Sequence, residues 1–135
     1  MVFGIGIDII EIDRVQKSIE KYGDHFLNKI YTPGELEYCL NKTNKYQHLA
    51  ARFAAKEAVY KALSSEKDDT ENEYSAANVG WQDIEIFNEP NGMPVVKVFG
   101  KIKKLLNGER SLKISISHSR DYVTCVAIVF RNGNK

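Results

Sequence analysis

Apolar residues alternate along the first stretch of the chain. On an extended backbone Phe3, Ile5, Ile7 and Ile9 face one way, while Gly4, Gly6 and Asp8 face the other, which predicts a strand over residues 2–10. The period then changes. Ile12, Val15, Ile19 and Tyr22 recur at helical spacing from Glu11 to Tyr22, and Gly23 stands where a helix ends. After a short segment, Thr32-Pro33-Gly34-Glu35 has the spacing of a capping box with proline at the first helical position, so a helix is expected through about Asn41. Tyr46 to Leu63, alanine-rich and free of Gly and Pro, predicts the longest helix. Residues 65–78 are acidic and polar and read as a loop. Trp81–Phe87 and Pro94–Phe99 read as strands joined through Asn91-Gly92, Lys101–Leu106 as a short helix stopped by Gly108, Leu112–Ser117 as an alternating strand, and Tyr122–Phe130 as the last strand after a turn at 118–121. Without a regular β-α-β alternation, the class expected is α+β.

A length of 135 residues suits a single domain over 1–135. Lys and Arg number 19 against 18 Asp and Glu, a net charge of +1 that leaves no basic field for nucleic acid held by phosphate neutralisation. No stretch approaches the ~20 apolar residues of a membrane span, and the N-terminus has neither the basic region nor the cleavage pattern of a leader. Cys39 and Cys125 are far apart and in no metal-like spacing, so a reducing cytoplasm is expected.

Two acids occupy unusual positions. At helical periodicity Tyr46, Leu49, Ala50, Phe53, Ala54 and Tyr60 form a stripe that includes Glu57, and an ionised carboxylate on an apolar face needs a cation or a proton. The bland alternative is a surface pair of Glu57 with Lys61 one turn on. Asp8 shares its strand face with two glycines, which admit a ligand or a backbone; the alternative is a strand end facing water. Two carboxylates on different elements suit Mg²⁺, which takes one or two carboxylates plus phosphate oxygens. Lys61, with Arg52 and Lys56 on the same helix, would supply charge to a phosphate. Arg14, Lys17 and Lys21 form a basic stripe fit for an acidic protein partner, or else a solvated face beside Asp13 and Glu20. His118 could contact a phosphate or be structural. A thiol nucleophile has no support.

Gly4-Ile5-Gly6-Ile7-Asp8-Ile9-Ile10-Glu11-Ile12, the helix segment from Arg52 through Lys56-Glu57 to Lys61-Ala62-Leu63, and Ser115-Ile116-Ser117-His118-Ser119 together resemble the holo-[acyl-carrier-protein] synthases, short members of the 4′-phosphopantetheinyl transferase superfamily. The resemblance covers essentially the whole chain. It implies a small antiparallel sheet packed with one long and several short helices, and transfer of 4′-phosphopantetheine from coenzyme A to a serine of apo-acyl carrier protein for fatty acid biosynthesis. By the same resemblance Asp8 and Glu57 bind Mg²⁺ and, with Lys61, form the catalytic set. Arg52, Phe53, Lys61, His118 and Ser119 line the coenzyme A site, and Arg14, Lys17 and Lys21 dock the carrier. It further implies a homotrimer with sites at subunit interfaces, so that a neighbour's His118 or Ser119 completes each one.

The acceptor of the serine proton stays open between Glu57, Asp8 through a water on the metal, and Lys61 with a lowered pKa. One departure stands out: where the family commonly has a glycine-containing loop after the long helix, this chain has Ser64-Ser65-Glu66-Lys67-Asp68-Asp69 and a longer acidic insertion. Lys42 and Lys45 are candidates for the 3′-phosphate of coenzyme A. The competing readings are a degenerate homologue that binds coenzyme A or the carrier without chemistry, and an interaction module with merely solvated charges.

Overall fold

In a computed structural model, which describes residues 1–64 and 80–133, the chain runs as β1 (Val2–Glu11), α1 (Ile12–Tyr22), α2 (Asp24–Ile30), α3 (Pro33–Leu40), α4 (Lys45–Ser64), a 3₁₀ turn (Trp81–Asp83), β2 (Ile84–Asn88), β3 (Pro94–Val98), α5 (Gly100–Leu106), β4 (Arg110–His118) and β5 (Tyr122–Arg131). Two antiparallel sheets result, a three-stranded one in the order β1-β5-β4 and the hairpin β2-β3. The class is α+β, as expected. The acidic loop expected at 65–78 lies outside the described residues.

Helix α4 is the centre of the molecule. Leu49, Ala50, Ala54, Ala55, Ala58, Val59, Ala62 and Leu63 are all buried, so the helix is covered on most sides and not along one stripe. The stripe drawn from periodicity therefore takes in buried Leu49, Ala50 and Ala54 together with a partly open edge, where Phe53, Glu57 and Tyr60 are half-buried. One side of α4 packs on Val123, Cys125, Ala127 and Val129 of β5. Beside them β1 presents Gly6, paired with Ala127 across the ladder. A methyl group at Gly6 would run into the carbonyl oxygen of Ala58 and lie 2.6 Å from the amide nitrogen of Ala62. Small residues thus let strand and helix backbones touch.

The sequence placed Ile5, Ile7 and Ile9 opposite the glycines, and the structure leaves them 59%, 65% and 66% exposed. Their neighbours on that face are Ile128, Val126 and Thr124 of β5. Single exposed apolar residues are common, but a continuous row on a sheet face is the kind of surface that a partner covers.

Several boundaries follow local chemistry. Gly23 ends α1 at φ +58°, its N–H donating to the Ile19 carbonyl (2.7 Å), a conformation glycine adopts without cost. The capping box at Thr32 forms: its hydroxyl accepts from the Glu35 N–H, and Glu35 Oε1 accepts from the Thr32 N–H. The segment from His25 to Tyr31, unassigned by periodicity, belongs to helix α2, because seven residues give too short a window for a period to show. Trp81 to Asp83 form a turn, so the strand predicted from Trp81 begins at Ile84.

Replacing Gly6 with alanine is expected to push β1 off α4 and to destabilise the fold by roughly 1–3 kcal/mol, the usual range for overpacking. A urea midpoint equal to that of the wild type would show that the two backbones are not in contact.

Candidate functional site

The end of β1, the start of α1 and the open edge of α4 enclose a cleft of about 510 Å³ lined by Asp8, Ile10, Glu11, Arg14, Val15, Ser18, Phe26, Phe53, Glu57 and Tyr122, with Ile9. Its position follows from the fold. Because β1 touches α4 at Gly6, the next residue on the same strand face, Asp8, arrives beside the turn of α4 that carries Glu57 and Lys61. Lys61 Nζ lies 3.1 Å from Asp8 Oδ1 and donates to the Ile7 carbonyl at 3.1 Å. The Asp8 side chain is only 16% exposed, so this ammonium both holds and neutralises it.

Glu57 is a half-buried carboxylate close to a second one. Burial pushes its pKa above the ordinary value, the negative charge of Asp8 pushes it further, and Lys61 opposes both. Like charges held together in a half-dry cleft attract a counter-ion or a proton. The two carboxylates are the pair expected from the sequence as metal ligands, and among the described residues no cluster of three or more His, Cys, Asp or Glu side chains could hold a metal. A two-carboxylate site facing open cleft volume fits Mg²⁺, which keeps waters and takes phosphate oxygens in its other positions.

The other predicted residues divide. Phe53 and Arg14 line the cleft with Asp8 and Glu57, whereas Lys17 and Lys21 lie farther along the exposed face of α1. Lys17 pairs with Asp13 at 3.0 Å, which raises its pKa, and the Lys21 ammonium sits over the Tyr22 ring. Arg52 belongs to a second cavity of about 360 Å³, with Gly34, Tyr38, Glu85, Ile86, Phe87, Asn88 and Lys97. It is 3% exposed, stacks over Tyr38, donates to Asn88 Oδ1 at 2.6 Å and has its Nε without a hydrogen-bond partner. His118 is exposed and lies 3.2 Å from Gln47 at the start of α4, and Ser119 closes the β4–β5 turn through its N–H to the Tyr122 carbonyl. Neither lines the Asp8–Glu57 cleft. His48, beside them, has its pKa lowered by burial and by the positive charges of Arg52, Lys42 and His118. Lys42 stacks over Tyr38 and Lys45 over Tyr46. Positive charge therefore gathers around the first turns of α4.

One expectation is overturned. Lys56 was read as a charge for a phosphate, but its side chain is fully buried and 2.8 Å from Glu35, also fully buried. It projects from α4 away from the cleft, toward α3 and β2, and no phosphate can reach it. Cys39 and Cys125 are free and buried, their thiols pushed up to about 11 and about 12 chiefly by burial, which disfavours the thiolate form. Sequence reasoning missed Phe26 and Tyr122 as walls of the cleft and Asn88 as the partner of Arg52. The first two lie in or beside segments without a period, and a contact spanning 36 residues has no local signature.

A family model described as 4′-phosphopantetheinyl transferase superfamily matches residues 4–127. A holo-[acyl-carrier-protein] synthase of Protochlamydia amoebophila is 44% identical over 128 residues, covering 95% of this chain and 98% of its own. One from Chlamydia trachomatis is 46% identical over 131 residues, covering 94% and 98%. Among solved structures, one titled "Chronobacterium ammoniagenes ACPS-CoA complex" superposes with a TM-score of 0.84 at 26% identity, covering 96% of this chain and 98% of that one.

Since the raised pKa of Glu57 means that its ionised form costs the folded state, that cost is present at neutral pH and disappears as pH falls through the folded and then the unfolded pKa. Glu57→Gln is therefore expected to raise the melting temperature in chelator at pH 7 and to leave it unchanged below the ordinary carboxylate pKa. A variant less stable than wild type at pH 7 would show that Glu57 carries no such burden.

Proposed function

Because the chain belongs to the 4′-phosphopantetheinyl transferase superfamily and, within it, to the holo-[acyl-carrier-protein] synthases, we propose that it transfers 4′-phosphopantetheine from coenzyme A to a serine hydroxyl of an acidic apo-acyl carrier protein in a Mg²⁺-dependent reaction. The observation that carries this reading is the convergence of Asp8 and Glu57 at one cleft from strand and helix, with Lys61 paired to Asp8. The carrier's serine oxygen attacks the pyrophosphate phosphorus that bears the pantetheine arm. The new P–O bond forms as the bond to adenosine 3′,5′-bisphosphate breaks, and that group leaves with the electron pair. Asp8 and Glu57 would hold Mg²⁺, whose part is to offset charge on the pyrophosphate. Lys61 keeps the Asp8 carboxylate in place and adds a positive charge at the rim. Glu57, which borders the open cleft, stands with Asp8 acting through a water and Lys61 as a candidate acceptor of the serine proton. Transfer of this kind needs alignment and charge compensation more than covalent participation by the protein.

The carrier is proposed to dock along α1, where Arg14 lines the cleft and Lys17 and Lys21 extend the basic face. Arg52, with Lys42, Lys45, His118 and Ser119, would contact the nucleotide end of coenzyme A. These groups lie apart from the Asp8–Glu57 cleft of the same chain. That separation, together with the exposed row of Ile5, Ile7 and Ile9, supports a homotrimer in which neighbouring copies of this single domain complete each site. A cytoplasmic setting, where coenzyme A and fatty acid biosynthesis meet, goes with this reading; among the described residues no helix is long and apolar enough to cross a membrane. The presence of all three cleft residues disfavours a binder without chemistry.

Intact mass spectrometry of apo-acyl carrier protein incubated with this protein and coenzyme A is expected to show a gain of about 340 Da that requires Mg²⁺. Asp8→Ala should abolish it, and Arg14→Glu with Lys17→Glu should raise the KM for carrier while sparing that for coenzyme A. No gain with any carrier, despite binding of coenzyme A, would replace the transferase reading with the binder.

Substituting Ile7 by Glu is expected to reduce the sedimenting species to one chain and to lose transfer activity along with assembly. A fully active monomer would remove the shared site.

A further inference from the structure

One fully buried ion pair takes no part in the cleft. The Lys56 ammonium, 2.8 Å from Glu35 Oε1, also donates to the carbonyls of Ile30 (2.9 Å), Trp81 (2.9 Å) and Ile84 (2.6 Å). Glu35 in turn accepts the Thr32 N–H on Oε1 (2.9 Å) and the Ile86 N–H on Oε2 (2.7 Å). One ion pair thereby ties α4 to the end of α2, the start of α3, the 3₁₀ turn and β2. As a source of stability such a pair is a poor choice, because desolvating two charges offsets most of their attraction, and apolar replacements are often neutral or better. What it supplies is geometry.

The geometry in question is that of the second cavity. Ile86, whose N–H is fixed by Glu35, is two residues before Asn88, and Asn88 Oδ1 holds the Arg52 guanidinium at 2.6 Å. Arg52 is one helical turn before Lys56 on α4. The hairpin and the helix are therefore clamped by the ion pair one turn from where they form the wall containing Arg52, Asn88 and Ile86. Neither Glu35 nor Lys56 lines that cavity, and among the described residues neither side chain forms a hydrogen bond or ion pair with the side chains of Asp8, Glu57 or Lys61. We propose that Lys56 and Glu35 are positioning residues that set the Arg52–Asn88 wall, and through it the affinity for the nucleotide end of coenzyme A, while leaving the chemical step untouched. The proposal rests on the transferase reading for the identity of the ligand, though not for the geometry.

The test is the double variant Glu35→Gln with Lys56→Met, which leaves no lone buried charge and is chosen for that reason to keep the fold; Glu35→Gln alone is the harsher companion. Below the melting temperature of each variant, the KM for coenzyme A is expected to rise about tenfold, the size of a lost charge-assisted hydrogen bond. At saturating coenzyme A, kcat and the Mg²⁺ requirement should stay within about twofold of wild type, and adding Asn88→Ala should raise KM little further, since effects routed through one contact are not additive. A readout free of coenzyme A accompanies this: the side-chain amide resonances of Asn88 and the Arg52 guanidinium resonances should shift in the double variant. Wild-type KM together with unshifted resonances would overturn the positioning role and leave a purely structural pair. A loss of kcat at unchanged KM would also overturn it, by showing that the clamp serves the chemical step. Shifted resonances in a protein whose wild type binds no coenzyme A would uphold the clamp and remove the transferase reading instead.

Discussion

The contact between β1 and α4 at Gly6 is the constraint from which the site follows. Ordinary side chains on both elements would hold the strand and helix backbones apart. With no side chain at Gly6 and only methyls at Ala58, Ala62 and Ala127, the backbones come together. Two residues later the same face of β1 bears Asp8, which lands against Lys61 at 3.1 Å and near enough to Glu57 to raise its pKa. The apolar small-residue seam and the charged cleft are two ends of one interface. Its stability comes from the first end and is partly spent at the second, where two carboxylates face each other in a half-buried site.

Helix α4 then distributes chemistry by its own period. Residues 52 and 56 lie about 40° apart around the axis and 53 and 57 about 100° further round, and the four side chains meet three environments. Phe53 and Glu57 open on the cleft, Arg52 on the second cavity, and Lys56 on the buried junction with α3 and β2. A run of adjacent charged residues in a motif invites the reading that all of them face one ligand. At about 100° per residue they cannot. The buried helix resolves the matter by giving Lys56 its own carboxylate and five surrounding backbone groups held by the pair.

This explains which parts of the molecule could be read in the sequence. Elements with a clean local pattern were legible: the alternation of β1, β4 and β5, the Thr32–Glu35 capping box, the glycine at the end of α1 and the length of α4 all express interactions between residues a few positions apart. So did the oddity of Asp8 and Glu57, because a charge that violates its own element's pattern is visible without knowing the partner. What stayed hidden depends on distant pairing. The burial of Lys56 by Glu35, the Arg52–Asn88 contact and the walls supplied by Phe26 and Tyr122 join segments far apart in the chain. Likewise, the alternation of β1 showed two faces but not which one the helix would cover, and the apolar one proved to be the outer.

The outward turn of those isoleucines has its own physical logic. A strand whose inner face must be glycine, to admit α4, can bury almost no apolar side chain there. Its hydrophobic stabilisation has to come from the other face, where Ile5, Ile7 and Ile9 lie beside their ladder neighbours on β5 and stay largely exposed. The close approach that builds the cleft thus leaves an apolar row in need of cover. In the proposed trimer, neighbouring copies would cover it. On this view the demand for assembly and the division of the site between two faces of α4 have a single origin in the glycine at position 6.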